Sequence, residues 1–353
     1  MHYQQFYMQQ ALMLAKRGWL TVSPNPMVGC VIVKQGQIIG EGFHEKPGQA
    51  HAEINALKQA GQAASGSDVY VTLEPCCHDG KTPPCVDALI HARVKRVIIA
   101  SIDPNPSVSG KGIDQLKAHG IKVIIGVCQT QAEQLNQIFF YYQKTKCPFV
   151  ISKWAMSADG YLTTAKTDTR QITGQSAWRT THAWRHRCDA ILIGRATLQT
   201  DQPALTARLI ESGPQPQRIV VSYTANIDPN MPLFQPNQSP IIFVTHESQI
   251  NKPACQAIKA QGHIVWGLVS GQSPQTICLL SLLQRLGDQG ISSLLVEGGS
   301  QIHAAFFQAG LVNQIQGWIA PCIIGGVEQK QFLNQPSVQL CGRDWQITGE
   351  MEH

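Results

Sequence analysis

The sequence lacks the long hydrophobic run that a membrane-spanning helix requires. None of its apolar stretches approaches 18 residues, and the opening residues, Met1 to Gln5, do not resemble a signal peptide. It also lacks a basic run and an aromatic-rich platform, since the net charge is only +5 and charged residues make up 14%. We therefore expect a soluble, cytoplasmic protein that binds neither membrane nor nucleic acid.

Cysteine, by contrast, is plentiful. Eleven cysteines in a secreted chain would suggest disulfides with one left over. In a cytosolic chain we expect two of them to bind a metal. The others, such as Cys30, Cys128 and Cys188, are then expected to be small core residues.

The length of 353 residues predicts two domains, at roughly 100 to 200 residues each. Helical periodicity runs through residues 131–143, a short break follows at residues 144–148, and a new apolar strand begins at Phe149. The predicted domains are therefore residues 1–146 and 147–353.

Four residues of the first domain have the chemistry of a hydrolytic metal site. His51, Cys76 and Cys85 can fill the three protein positions of a catalytic zinc ion, which leaves a fourth position for water. Glu53 follows His51 by two residues and is better suited to carry protons, as in the zinc deaminases. Eight residues separate the two cysteines, whereas the usual deaminase spacing is two, so the bare pattern is loose.

The surrounding sequence places these residues where chains turn into helices. Two strands, residues 28–33 and 38–43, precede a helix over 53–60, and a third strand over 69–73 leads to Cys76. Pro83 and Pro84 are typical of the start of a helix, here the one that carries Cys85. Because a helix N-terminus favours a thiolate, we expect Cys85 to ionise readily.

Two alternatives remain open from the residues alone. The zinc could be structural and closed by a fourth ligand, for which Cys77 is the candidate, although Glu53 would then have no purpose. The protein could also deaminate other nucleobases, with a second domain that is not catalytic. The absence of a basic stripe argues against a nucleic-acid substrate.

The second domain alternates strands and helices, which indicates a largely parallel sheet covered on both faces. We predict strands at residues 149–155, 190–193, 218–222, 241–245 and 293–296, and helices at residues 176–187 and 300–308. Ligands of such sheets bind beyond the carboxyl ends of the strands, here near Gly194, Ser222 and Glu297. The glycines that follow Glu297 could cradle a phosphate, although the full GxGxxG fingerprint is missing.

Several motifs together resemble the bifunctional riboflavin biosynthesis deaminase/reductases. In the first domain these are TVSPNPMVG at 21–29, GQAHAE at 48–53, LEPC at 73–76 and GKTPPC at 80–85, and the eight-residue gap is that family's own spacing. In the second domain they are SK at 152–153, SADG at 157–160, IT at 172–173, the residues Gly194, Thr197, Asp201, Pro203, Leu205 and Arg208, and EGG at 297–299.

The resemblance implies an α/β protein with a cytidine-deaminase-like α/β/α domain followed by a dihydrofolate-reductase-like domain. It implies hydrolytic deamination of 2,5-diamino-6-(5-phosphoribosylamino)pyrimidin-4(3H)-one at a zinc site. The reaction continues with NADPH-dependent reduction of the ribosyl side chain of the resulting uracil to a ribityl chain. Asn25, His78 and Lys81 would contact the first substrate. A homo-oligomer, dimer or tetramer, is also implied.

Transferred position by position, the resemblance assigns the second site. The NADPH-binding residues would be Ala155, Gln171, Thr197, Asp201, Ser222, Gly299, Ser300 and Gln301. The residues around the substrate would be Thr169, Arg185, Leu205, Arg208 and Glu297. The chain departs from the family at Gln171, where an aromatic residue is expected. The choice of NADPH over NADH rests on the resemblance, because no Arg or Lys is matched to a 2′-phosphate.

Overall fold

The structure is a computed structural model that describes residues 2–77, 83–162, 172–209, 214–235, 239–271, 275–325, 331–341 and 344–351. The chain divides into two compact units, Met1–Pro148 with Gly287–Ser292, and Phe149–Leu286 with Ser293–His353. Among the described residues, no helix is long and apolar enough to cross a lipid bilayer.

The first unit is built on a five-stranded sheet in the order β2-β1-β3-β4-β5. The strands are β1 (Gly29–Lys34), β2 (Gln37–Phe43), β3 (Asp68–Leu73), β4 (Arg96–Ser101) and β5 (Lys122–Ile125). The helices are α1 (His2–Lys16), α2 (Ala52–Ala60), α3 (Cys85–His91), α4 (Lys111–Ala118), α5 (Gln129–Leu135) and α6 (Gln137–Thr145). Strand β1 runs antiparallel to β2 and β3, whereas β3, β4 and β5 are parallel.

Alternation along the strands gives this sheet two apolar faces. On β1, Cys30 and Ile32 pack with residues of α2, α3 and α4, whereas Val31 and Val33 pack with residues of α1 and α5. Side chains of a strand point alternately to opposite faces, so one apolar strand supplies both cores. The result is the expected α/β/α layering.

The predicted helix over residues 131–143 was wrong in one respect, because the structure interrupts it at Asn136. The side chain of Asn136 accepts a hydrogen bond from the backbone N–H of Met27 (2.8 Å) and donates one to its carbonyl (2.8 Å). This buried pair of bonds holds Asn136 outside helical geometry, between α5 and α6.

The second unit contains a seven-stranded sheet in the order β10-β9-β8-β7-β11-β6-β12, and all of its neighbouring strands are parallel. The strands are β6 (Phe149–Ser157), β7 (Ala190–Gly194), β8 (Gln217–Val221), β9 (Ile241–His246), β10 (Ile264–Leu268), β11 (Ser293–Glu297) and β12 (Gln314–Ala320). The helices are α7 (Gln175–Arg187), α8 (Arg195–Asp201), α9 (Pro253–Ala260), α10 (Leu279–Asp288) and α11 (Ser300–Gln308). The predicted parallel sheet is confirmed.

A separate three-stranded sheet follows, made of β13 (Cys322–Ile323), β14 (Gln331–Cys341) and β15 (Asp344–Met351). These strands are antiparallel, and β14 and β15 form a hairpin. The sequence after Gly326 carries no interpretable motif, so this hairpin was not predicted.

Candidate active sites

The three predicted metal ligands lie together in the first unit. His51 precedes α2, Cys76 follows β3 and Cys85 opens α3. Their ligand atoms all lie within 4.8 Å of one another, and His51 Nδ1 is 3.2 Å from Cys85 Sγ and 3.5 Å from Cys76 Sγ. One imidazole nitrogen and two sulfurs are a donor set that fits zinc. Among the described residues, Cys77 does not join this group.

The close approach of α2 to the sheet positions His51 and Glu53. A Cβ atom added to Gly42 on β2 would lie 2.2 Å from the carbonyl oxygen of Ala52, and one added to Gly40 would lie 2.3 Å from that of Ala56. Only glycine leaves room for the helix backbone at these two positions.

The two sulfurs do not ionise as the sequence analysis expected. A hydrogen bond from Cys85 lowers the pKa of Cys76 to about 4, whereas the pKa of Cys85 is raised by that shared proton and by burial. The backbone N–H of Cys85 also donates to Cys76 Sγ (3.3 Å). The expectation that Cys85 ionises readily therefore fails in the absence of a metal, because the hydrogen bond with Cys76 and burial keep the proton on Cys85. A divalent cation would replace the shared proton and make both sulfurs thiolates.

Glu53 has the properties of a group that gives and takes protons. Only 3% of the residue is exposed, and burial, reinforced by the charge on Cys76, raises its pKa to about 7. The side chain borders a cavity of about 190 Å³ together with His51 and Cys76. A carboxyl that titrates near neutrality beside a metal site is suited to acid–base catalysis.

Asn25 lines the same cavity and is held by a residue that the sequence analysis missed. Its Nδ2 lies 3.0 Å from Nε2 of His44, and Nδ1 of His44 lies 3.3 Å from the carbonyl oxygen of Ala50. Burial lowers the pKa of His44, so the neutral ring can donate to Ala50 and accept from Asn25. Because the amide nitrogen of Asn25 is engaged by His44, its amide oxygen is the atom that it can offer to a ligand in the cavity. The only feature of the sequence that pointed to a role for His44 was its position shortly before His51.

Glu74, also missed, anchors the loop that closes the cavity. Its buried carboxylate accepts hydrogen bonds from the backbone N–H groups of Asp103 (3.3 Å), Gly110 (3.0 Å), Gly112 (3.1 Å) and Ile113 (3.3 Å). Asp103, with Asn105 and Val108 of the same loop, borders the cavity. The two other predicted substrate contacts, His78 and Lys81, lie outside the described residues.

In the second unit a cavity of about 500 Å³ opens at the carboxyl ends of β6, β7 and β11. It brings together most of the residues assigned to cofactor and substrate, namely Ala155, Arg185, Thr197, Asp201, Leu205, Arg208, Glu297, Gly299 and Ser300. Thr169 and Gln171 lie outside the described residues.

Arg185 and Glu297 form a buried pair at this cavity. Arg185 donates from Nε to one carboxylate oxygen (2.9 Å) and from Nη2 to the other (2.7 Å), and from Nη1 to the carbonyl of Thr206 (3.1 Å). Burial alone would raise the pKa of Glu297, but the Arg185 guanidinium outweighs it and holds that pKa below its usual range. Glu297 is therefore a fixed anion, and the Nε and Nη2 groups of Arg185 already donate to its carboxylate.

Lys153 belongs to the SK motif, but the sequence analysis gave it no role. Lys153 borders the same cavity as Glu297 and Arg185, and burial lowers its pKa. A lysine whose pKa is lowered gives up its proton more readily than an exposed one. The sequence offered no signal for this, because the burial comes from residues that are distant along the chain.

Arg208, a further cation of this cavity, forms no ion pair with a described carboxylate. It is exposed, and its Cζ lies 5.9 Å from the ring of Trp178. The backbone N–H of Arg208 donates to Nδ1 of His182 (3.0 Å), and the His182 ring packs 4.1 Å from that of Trp178. Arg208 is thus held on both its backbone and its side chain, and its charge is available to an anionic ligand.

A second cavity, of about 710 Å³, adjoins the first and shares Ala196, Thr197, Gly299 and Ser300 with it. Ser222 and Gln301, two more of the assigned cofactor residues, border this cavity. Thr197 Oγ1 accepts a hydrogen bond from the N–H of Gly299 (3.0 Å) at the start of α11. No side chain caps α11, so its first N–H groups are open to an anion such as a pyrophosphate.

Comparisons with known proteins agree with both sites. Residues 1–101 match the family described as cytidine and deoxycytidylate deaminase zinc-binding region, and residues 148–349 match the RibD C-terminal domain. The riboflavin biosynthesis protein RibD of Actinobacillus pleuropneumoniae is 40% identical over 334 residues, 94% of this chain and 88% of that protein. RibD of Escherichia coli (strain K12) is 39% identical, and the match covers 91% of this chain and 88% of that protein.

Two solved structures extend the agreement to the fold. Acinetobacter baumannii RibD, form 1, has a TM-score of 0.81 and 35% identity, and the match covers 100% of this chain and 99% of that one. The diaminohydroxyphosphoribosylaminopyrimidine deaminase/5-amino-6-(5-phosphoribosylamino)uracil reductase of Thermotoga maritima has a TM-score of 0.78 and 32% identity, with 98% of each chain covered.

Fold and sites together define a zinc deaminase joined to a reductase. The chain belongs to the RibD family, the bifunctional deaminase/reductases of riboflavin biosynthesis. This confirms the predicted fold class and the bifunctional activity, in preference to a nucleobase deaminase with a non-catalytic second domain.

Proposed function

We propose that the first unit hydrolyses the amino group of 2,5-diamino-6-(5-phosphoribosylamino)pyrimidin-4(3H)-one, with His51, Cys76 and Cys85 as the ligands of zinc. Zinc, when bound there, lowers the pKa of a water towards neutrality. Glu53 would take one proton from the attacking water as its oxygen adds to the ring carbon that bears the amino group, and pass that proton to the ring nitrogen. It would then move the second proton of the same oxygen to the amine, which leaves as ammonia.

The observation that carries this proposal is the burial of Glu53 in the same cavity as the three ligands, with a pKa of about 7. At neutral pH such a group is present in both its protonated and its ionised form, as a proton carrier requires. Asn25, oriented by His44, is the proposed contact to the ring or ribose. His78 and Lys81 remain proposed contacts to the base and the phosphate.

The Glu53→Gln variant tests this proposal. An amide at this position cannot carry protons, so we expect deamination to fall by about 10²- to 10⁴-fold, as is typical when acid–base catalysis is removed. Zinc content, measured by elemental mass spectrometry, should stay at the wild-type level, because Glu53 is not a ligand. The control is Glu41→Gln, an exposed carboxylate on β2. Unchanged deamination in Glu53→Gln would contradict the assignment.

For the second unit we propose reduction of 5-amino-6-(5-phosphoribosylamino)uracil. Opening of the ribose ring breaks the bond between C1 and the ring oxygen; that oxygen takes a proton and becomes a hydroxyl, and a protonated imine remains. NADPH, when bound, would supply the hydride that adds to C1 and converts the protonated imine to the secondary amine. Residues of the two adjoining cavities would bind the dinucleotide, with Ala155, Thr197 and Asp201 towards the nicotinamide, and Ser222 and residues 299–301 beyond it. Gln171, outside the described residues, remains a proposed cofactor contact.

The proposed roles of the charged residues follow from their environments. Arg208, which pairs with no carboxylate among the described residues, would bind the substrate phosphate, and Glu297, fixed by Arg185, would hold ribose hydroxyls or a cationic imine. Lys153, whose pKa is lowered by burial, would give the proton that ring opening requires. Leu205 and Thr169 would complete the substrate site.

The Lys153→Met variant tests the reductase proposal, because methionine keeps the length of the side chain but cannot donate a proton. We expect reduction of the uracil ribotide to fall by about 100-fold while deamination is unchanged. Lys259→Met, at an exposed position on α9, is the control. Full reductase activity in Lys153→Met would show that the proton comes from elsewhere.

We also propose that the activities divide between residues 1–146 and 147–353, and that the protein is a cytoplasmic homo-oligomer, dimer or tetramer. Its partners would be small-molecule phosphoribosylaminopyrimidines, without nucleic acid or membrane. Light scattering of the purified protein and cell fractionation test the assembly and the location.

A further inference from the structure

The second cavity of the reductase unit holds one cation that the proposed reaction does not use. Of the described residues that border this cavity, Arg195 is the only charged one, and the others are apolar, hydroxyl, amide or glycine residues. A site whose charge comes from a single arginine has a preference for an anion.

Arg195 is the first residue of α8 and is half-buried. Its Nη1 lies 3.4 Å from Oγ1 of Thr224, and no described carboxylate forms an ion pair with it. This contrasts with Arg185, whose fork is filled by Glu297. A half-buried guanidinium that forms no ion pair can still bind a phosphate group in a bidentate fashion, through two parallel hydrogen bonds.

Arg195 lies in the cavity that would hold the adenosine end of a bound dinucleotide. The cavity that contains Arg195 shares Thr197, Gly299 and Ser300 with the cavity that contains Lys153 and Glu297. A cofactor with its nicotinamide in the first cavity and its pyrophosphate at the start of α11 therefore extends its adenosine half into the second.

The residues that follow β8 border the second cavity, in which the adenosine ribose of such a cofactor would lie. In Rossmann-type dinucleotide-binding proteins a carboxylate binds the 2′-hydroxyl of NADH, whereas an arginine accommodates the 2′-phosphate of NADPH. Here the residues after β8 that border the cavity are Ser222, Tyr223 and Thr224, all hydroxyl-bearing and none acidic. The Thr224 hydroxyl lies beside Arg195, so the two can share one phosphate.

We propose that Arg195, together with the hydroxyl of Thr224, binds the 2′-phosphate of the adenosine half of the cofactor and sets a preference for NADPH over NADH. This inference rests on the proposed reductase function and adds the specificity-determining residue.

Binding of two adenosine fragments to the full-length protein tests the proposal without catalysis. Isothermal titration calorimetry would compare adenosine 2′,5′-bisphosphate with 5′-AMP in the wild type, Arg195→Gln, Arg195→Lys and Arg179→Gln. Arg179 is exposed on α7 and does not border the cavity, so it is the matched control. A charge-assisted hydrogen-bonded pair is worth enough to change affinity by about 10- to 100-fold.

We expect the wild type and Arg179→Gln to bind the bisphosphate at least about tenfold more tightly than 5′-AMP. Arg195→Gln should lose most of that preference while its affinity for 5′-AMP stays constant, and Arg195→Lys should keep part of it because lysine retains the charge but not the fork. Equal binding of both fragments by the wild type, or an unchanged preference in Arg195→Gln, would overturn the proposal.

A second arm separates this inference from the function on which it rests. Reduction of the uracil ribotide would be followed with NADPH and with NADH. Reduction at equal kcat/KM with both cofactors would leave the reductase function standing and refute the role of Arg195. Absence of reduction with either cofactor would refute the reductase function itself.

Discussion

At the scale of single residues, the two sites place buried carboxyl groups in opposite electrostatic states. Burial and the neighbouring Cys76 charge raise the pKa of Glu53 to about 7, whereas the Arg185 guanidinium holds the pKa of Glu297 below its ordinary value despite burial. Glu53 can therefore exchange protons at neutral pH, whereas Glu297 remains an anion. In the proposed reactions the same functional group would act as a proton carrier at one site and as a fixed charge at the other.

His182 gives a prediction for the pH dependence of stability. Burial, with the charges of Arg185 and Arg208, lowers the pKa of His182 from 6.5 to about 4 in the folded protein. Between these two pH values the unfolded chain binds a proton that the folded chain does not, so His182 makes the free energy of unfolding fall as pH falls from 6.5 to about 4.

In His182→Gln this contribution is absent, and we expect a shallower loss of stability across the same pH window. Urea unfolding followed by tryptophan fluorescence at several pH values measures the slope. His91→Gln, at an exposed position on α3, is the control and should keep the wild-type slope. A slope in His182→Gln equal to the wild-type slope would mean that the ring is protonated in the folded state.

Functional residues that are recognisable by their type and their spacing could be predicted from the sequence. Residues whose role depends on partners far along the chain could not. The spacing of His51, Cys76 and Cys85 indicated a metal site, and the structure brings their ligand atoms within 4.8 Å. Glu74, however, has its partners at residues 103–113, and the charges that act on Lys153 are those of Glu297 and Arg185, far along the chain. Such long-range contacts leave no local pattern in a single sequence.

At the scale of elements, most of the strands could be predicted from the pattern of apolar residues. Apolar runs such as β1 and β7 were predicted to within about a residue at each end, because strands buried on both faces read as continuous apolar segments. The break between α5 and α6 was missed because it depends on the hydrogen bonds from Asn136 to Met27, 109 residues away. The β14–β15 hairpin was missed although apolar and polar residues alternate over residues 338–340 and 345–347, because these runs are only three residues long.

The turn between β11 and α11 supports a prediction about an element junction. Gly298 has φ +147°, which residues with a side chain rarely adopt, and an added Cβ would lie 3.1 Å from Thr197 Oγ1 and 3.1 Å from Ile302 Cγ2. Gly298→Ala should displace the Thr197 side chain and break the hydrogen bond that Thr197 Oγ1 accepts from the N–H of Gly299. We expect kcat/KM for NADPH to fall by about tenfold, a typical cost of such strain.

Initial rates of NADPH oxidation measure this effect, and deamination by the same preparation is the internal control, because the substitution is confined to the reductase cavities. Gly290→Ala is the matched variant, since Gly290 also has positive φ (80°) but no atom lies within 4 Å of an added Cβ. If Gly298→Ala and Gly290→Ala lowered reductase activity equally, crowding at Thr197 would not be the cause.

At the scale of the whole molecule, the length predicted two domains, and the structure contains two compact units, each built on its own large sheet with a candidate site of its own. The order of the reactions follows from their chemistry, because the uracil ribotide that the reductase consumes is the product of deamination. Strand order could not be derived from the sequence, since the pairing of β6 with both β11 and β12 joins segments more than 130 residues apart.

The most direct test of this account is the mass of the diaminopyrimidinone ribotide after incubation with the zinc-loaded protein, with and without NADPH. The account predicts replacement of one amino group by oxygen in both reactions, and a further gain of two hydrogens only when NADPH is present. An unchanged mass without NADPH would contradict the roles of His51, Glu53, Cys76 and Cys85. Deamination with no gain of hydrogen in the presence of NADPH would contradict the reductase half of the account.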